Sequence, residues 1–209
     1  MRKALAMLIV LICSIAIFGQ KPDSSNDPGV SYQSFVTKVK GGDTSIDFKA
    51  FRIAFSRTKA YGPHGGDGEK ELFTALSQKD YKGALKKAEK LLDSCYVDMD
   101  AHVGASMAYR GLGDETKADL HKKIYLGLIN SILTNGDGKS AATAYVVITL
   151  HEEYIVLRAL DLMPGSQSLV HQDGHSFDVL SATDRKSNST IKLYFNIDIP
   201  WKAETDMFK

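Results

Sequence analysis

The sequence predicts an α+β fold: N-terminal and central helices packed against a small, mainly antiparallel C-terminal sheet. Three observations carry that prediction. Apolar residues recur at helical spacing from Tyr32 to Ile132. Strict alternation takes over between Ile191 and Ile199. Between these regions lies Asp173-Gly174, the dipeptide of a tight β-hairpin.

The N-terminus differs from the rest. Met1-Arg2-Lys3 is a small positive segment, Ala4 to Phe18 is apolar except for Cys13 and Ser14, and Gly19-Gln20 closes the run. This is the three-part layout of a secretory signal. Residues 1–20 are therefore expected to direct export to the periplasm, the envelope or the outside. The apolar run is short for a membrane span, which needs about 20 residues; retention as an anchor is the alternative. Removal takes away Arg2 and Lys3, so the formal charge passes from +1 to −1. Such a balance favours neither nucleic acid nor an anionic membrane. Cys95 would be left as the only cysteine, with no internal disulfide, and its place on an apolar helical stripe reads as a buried, inert thiol.

Residues 21–30, with Pro22, Pro28 and Gly29, read as a flexible linker, and 31–209 as one domain. Within it, 31–134 reads as helical and 135–200 as β-rich. Tyr32, Phe35, Val36 and Val39 mark the first helix, ended by Gly41-Gly42. Phe48, Phe51 and Phe55 mark the second, with Asp47 as its cap. Tyr61 to Gly68 is a glycine-rich loop. Asp80 caps a helix whose stripe is Tyr81, Ala84, Leu85, Ala88, Leu91, Leu92 and Cys95. Asp98 or Asp100 starts the next, where Ala101, Gly104, Ala105 and Ala108 allow close approach of a neighbour. Gly113 ends it, and Asp114 caps a helix carrying Ala118, His121, Tyr125, Leu128 and Ile132.

Residues 69–134 resemble the tetratricopeptide repeat. Gln78, Asp80, Tyr81 and Ala84 match one unit, and Tyr109, Gly113, Asp114 and Ala118 the next, at the repeat's spacing of about 34 residues. Two units fall short of the three or so a free solenoid needs. The pair is therefore expected to bury its open face on another part of the chain.

The C-terminal third supplies candidates. Ala144 to Leu150 reads as a buried strand and Glu152 to Leu160 as a short helix ended by Pro164-Gly165. Ser166–Gln172 and His175–Ala182 form a hairpin. Ile191 to Ile199 forms a strand stopped by Pro200, with Trp201 packed over its end.

This third resembles a bacterial family catalogued as domain of unknown function 4919. The likeness rests on Gly138, Ser140, Thr143-Ala144, Glu153-Tyr154, Leu157, Gln167-Ser168-Leu169, Asp173-Gly174-His175, Phe177-Asp178-Val179 and Leu193 to Ile197. It implies a common fold in exported chains and implies no activity.

Gly136-Asp137-Gly138-Lys139-Ser140 ends like a phosphate-binding loop, but Leu133 stands where the motif needs glycine, and the helix precedes rather than follows. A turn is the expected reading. His151, Glu152 and Glu153, and the group His171, Asp173, His175 and Asp178, contain metal-ligand and acid–base types. A two-residue turn would pair His171 with Ser176, send His171 and His175 to opposite faces, and leave His171 and Asp178 as a diagonal pair. No Gly-x-Ser-x-Gly elbow is present. No cofactor is expected. The favoured function is a non-enzymatic module binding a protein or peptide through a helical face near Tyr81, His102, Tyr109 and Arg110, with no nucleic-acid partner. A hydrolase-like or metal-dependent enzyme at His151/Glu153 or His171/Asp178 is the alternative.

Overall fold

The computed structural model describes residues 28–65 and 68–207, without the side chains of residues 28 and 30. The signal-like segment lies outside the described residues, as does most of the linker. The fold is α+β: eight helices and a four-stranded mixed sheet among the described residues.

The first helix, α1 (Pro28–Lys40), begins earlier than its apolar pattern predicts, taking Pro28 and Gly29 from the expected linker. Proline suits the first helical position because no amide hydrogen is needed there. Then come α2 (Phe48–Phe55), α3 (Glu69–Ser77), α4 (Tyr81–Ser94), α5 (Met99–Gly111) and α6 (Glu115–Leu133). Four aspartates start four of these helices. Asp47, Asp80, Asp98 and Asp114 accept from the amides of Ala50, Gly83, Ala101 and Lys117 at 2.8–3.0 Å.

Helices α3–α4 and α5–α6 are two successive hairpins, and α3 also packs on α5. Leu72, Ala84, Ala88, Ala105 and Ala108 make their small core. Gly104 is required by that packing, since a Cβ there would lie 2.5 Å from Leu72.

The larger core joins α1, α2 and α6 to α7 (His151–Ala159) and the sheet, through residues such as Phe51, Leu128, Ile132, Leu157, Leu180 and Phe195. Each such side chain, fully buried, contributes roughly 1.5–3 kcal/mol. The strands are β1 (Tyr145–Val146), β2 (Leu162–Gln172), β3 (His175–Asp184) and β4 (Thr190–Asn196), in the order β1-β4-β3-β2. Only β1 runs parallel to its neighbour. A last helix, α8 (Asp198–Met207), follows β4.

Three expectations need correction. Ala144–Leu150 forms only a two-residue strand, because side chains and loops take its later backbone groups. Ile148 N donates to Glu152, Tyr61 donates to Ile148 O, and Leu150 N donates to Pro63 O. Helix α7 ends at Ala159, capped by Leu160, with Asp161 in the left-handed region (φ 58°), while Pro164-Gly165 lies inside β2, beside a bulge. An outer strand tolerates proline there. The strand expected to reach Ile199 stops at Asn196, whose side chain accepts from Asp198 N at 3.1 Å and turns the chain into α8. Pro200 sits in the first turn of that helix rather than at a strand end.

A buried ion pair ties the layers together. Arg52 of α2, 2% exposed, binds both oxygens of Glu152 on α7 and also donates to Ser131 Oγ and Val146 O. Among the described residues no helix is long and apolar enough to cross a membrane.

Candidate functional site

Helix α7 brings charge to the mouth of the helical hairpins. His151, its first residue, sits beside Asp100 in the first turn of α5 and Glu69 at the start of α3. His151 Nε2 is 2.8 Å from Asp100 Oδ2 and 3.8 Å from Glu69 Oε1. Arg158, two turns along α7, donates to the other Asp100 oxygen. Asp100 is 1% exposed, so its charge needs both partners. The hydrogen bond to Asp100 raises the His151 pKa; burial opposes it, and the charges of Asp100, Glu69 and Asp98 add to it. Burial pushes Asp98 up to about 6.

This cluster borders a cleft of about 30 Å³ lined by Cys95, Asp98, Thr149, His151 and Glu152 among others. That space admits water-sized groups and no extended substrate. The loop carrying Gly65 (φ 102°) closes over it; a Cβ there would lie 2.8 Å from the His151 Cβ. Neither Cys95 nor Thr149 hydrogen-bonds His151 among the described residues. Cys95 retains partial residue exposure, yet burial of its thiol raises the pKa and keeps it protonated. Among the described residues His151 is bonded to Asp100, with no nucleophilic side chain hydrogen-bonded to its ring.

Two residues after His151, Glu153 faces the sheet. It is 0% exposed, and neither of its oxygens has a hydrogen-bond partner among the described residues. Burial pushes its pKa up to about 9, and Asp178 on β3 adds to the rise. Asp178 is near enough to bias the Glu153 proton, though the pair does not meet full hydrogen-bond geometry. Asp178 Oδ2 accepts from Gln167 Nε2 at 2.5 Å, and Gln167 Oε1 accepts from Tyr154 at 3.4 Å. Two adjacent carboxyls suit general acid–base work only where substrate reaches them. Here both are buried.

The hairpin has the register that a two-residue turn dictates, with Gln172 opposite His175 and His171 opposite Ser176. His171 Nδ1 lies 3.1 Å from Ser176 Oγ, and its ring stands edge-on to Trp201 at 5.3 Å. Its diagonal neighbour Asp178 is bonded instead to Gln167. His175 Nδ1 lies 2.5 Å from Asp198 Oδ2, while Asp198 Oδ1 accepts from Ser176 N. Although burial works against it, those bonds and one from Asn196 hold the Asp198 carboxyl below its ordinary value. Asp173 lies in the turn itself. The histidines and carboxylates read together in the sequence are thus divided among separate pairs. Among the described residues no group of three or more His, Cys, Asp or Glu side chains is placed to hold a metal ion. Gly138 (φ 68°) makes a turn clasped by Thr143 O and Tyr194 N.

On the helical face, His102 is fully buried. Its Nε2 is 2.9 Å from Tyr96 O, which can only accept, so Nε2 carries the hydrogen. Its Nδ1 then accepts from His121 Nδ1 at 2.9 Å. Burial lowers His102 to about 3 and His121 to about 4, so both are neutral. Tyr109 stacks on His121 at 5.5 Å, and Lys117 lies 5.2 Å from the Tyr109 ring. Tyr81 packs against Gly111, where a Cβ would lie 2.4 Å from its ring. Arg110 is exposed, bonded to Glu115 and Asp119.

Helical spacing sorts these residues. His102, Ser106 and Tyr109 face α6, Gly104 and Gly111 face α3 and α4, and Val103, Met107 and Arg110 form the remaining stripe. Met107 is 48% exposed. Asp100 begins the same side of α5, and α7 covers it there. Sequence reasoning missed Asp100, Arg158 and Glu69 because their partners are distant in the chain. It missed Met107 because no pattern separates an exposed methionine from a core one.

A family model described as Domain of unknown function (DUF4919) matches residues 26–205. No curated protein and no solved structure matches the chain.

Proposed function

The chain belongs to the DUF4919 family, and from that premise we propose that it is a non-enzymatic interaction module of the bacterial envelope, exported by its signal-like N-terminus. Its partner is a protein or peptide docked on the helical hairpins. The observation that supports this reading is the exposed pair Met107 and Arg110 on α5, in line with half-buried Val103 and beyond the stretch that α7 covers. Methionine and arginine are enriched at interface cores, and methionine adapts to partners of varied shape. Of the residues first singled out, Arg110 would touch the partner, while Tyr81 and Tyr109 shape the helices beneath it. His102 would act only from within, by fixing the α5–α6 packing.

Hydrolase-like or metal-dependent chemistry is the weaker reading. His151 lies beside a cleft too narrow for an extended substrate, and Glu153 and Asp178 are buried. His171 is bonded to Ser176 and stands edge-on to Trp201, and among the described residues no carboxylate bonds its ring.

A photo-crosslinking residue placed at Met107 tests the interaction reading in intact cells, with Lys86 on the outer side of α4 as control. A discrete adduct at 107 that weakens with Arg110→Ala is expected. No adduct, or equal adducts at both positions, would overturn it.

A further inference from the structure

Strand β2 is the outer strand of the sheet, and its far edge faces no other strand among the described residues. The turn fixes which backbone groups that edge presents. Asp173 (φ 52°) and Gly174 (φ 80°) make a two-residue turn, so Gln172 and His175 exchange hydrogen bonds. Antiparallel alternation then assigns bonded pairs to Val170–Phe177 and Ser168–Val179. The N–H and C=O groups of Gln167, Leu169 and His171 point away from β3. Among the described residues, no backbone or side chain outside the strand bonds them.

Natural sheets blunt such edges with charges, proline or bulges. Here the first part of β2 has Pro164 and the bulge after it. From Gln167 to Gln172 there is no proline, no charged side chain and no bulge. Leu169, in the middle, is 45% exposed.

We propose that two copies of the chain pair through this edge, antiparallel about a two-fold axis at Leu169. In that register Leu169 meets its own counterpart, and Gln167 of each copy meets His171 of the other. Every outward N–H of the three residues then finds a carbonyl of the partner copy. Self-pairing brings no like charges together, because the strand carries none. It also covers Leu169 with the same apolar side chain. The resulting interface extends the sheet across both copies and is independent of the α5 stripe.

The test uses protein purified from bacteria expressing the full chain. Sedimentation should show a monomer–dimer equilibrium between about 1 and about 500 µM, the weak range expected for a small interface. Over the same range, amide exchange at Gln167, Leu169 and His171 should slow several-fold, while Phe177 and Val179, already bonded to β2, should not change. Leu169→Pro removes an outward N–H without costing a hydrogen bond to β3, a change that an edge strand tolerates, so it should stay folded and remain monomeric. Should it fail to fold, Leu169→Lys sets two ammonium groups against each other at the axis and should also abolish the dimer. A chain monomeric throughout would overturn the proposal. So would a dimer that survives either folded variant, or protection of those amides by an added foreign peptide alone.

Discussion

Replacing Glu153 with glutamine should remove a large part of the protein's pH dependence. Glu153 has an ordinary value of 4.5 and is pushed up to about 9 in the fold, first by burial and then by Asp178. Between those values the folded chain holds a proton that the unfolded chain has released. Stability therefore falls as pH rises through this window, by about 1.4 kcal/mol per pH unit for one proton. From pH 5 to pH 7 the loss from this group is about 3 kcal/mol. The substituted side chain would be neutral at every pH, with an amide that can donate to Asp178. The stability of Glu153→Gln relative to the native chain should thus improve by about 3 kcal/mol between pH 5 and pH 7, whatever its packing cost. Urea unfolding at both pH values measures this difference. Parallel curves for the two proteins would refute the buried, protonated state of Glu153.

Other perturbations probe the rest of the frame. The neutral pair His102–His121 titrates well below an unfolded histidine, at about 3 and about 4; stability should therefore fall as pH drops from about 6.5 toward 4, and His102→Gln should flatten that acid limb in thermal unfolding. Arg52→Ala leaves Glu152 buried without its partner and should cost about 3–5 kcal/mol in urea unfolding, with Arg52→Met/Glu152→Leu recovering part of the loss. Gly127→Ala would place a Cβ 2.2 Å from the Phe48 ring, and overpacking at the α2–α6 contact should cost about 1–3 kcal/mol on the same scale.

Local chemistry was legible in the sequence. An aspartate before an apolar stripe announces a helix start whatever surrounds it, and Asp47, Asp80, Asp98 and Asp114 all serve that way. Asp173-Gly174 dictates the hairpin register for the same reason, since few residues adopt both positive φ values. What depends on distant partners was not legible. Val147 still donates to Asn196 O on β4, but Glu152, Tyr61 and Pro63 claim the backbone groups of Ile148 and Leu150. Ile199 continues the alternation of β4, but Asn196 and Asp198 turn the chain first. At the candidate site, Arg110 was visible as a charge at a helix end. Its stripe became visible only once α6, α4 and α7 were seen to cover the other sides of α5.

The most direct measurement compares partner capture in envelope extracts by the native chain, Met107→Lys and Glu153→Gln. If the α5 stripe is the working surface, Met107→Lys should lose the captured protein while remaining folded, and Glu153→Gln should retain it. Capture that survives Met107→Lys but fails with Glu153→Gln would place function at the buried carboxyls and contradict the interaction reading.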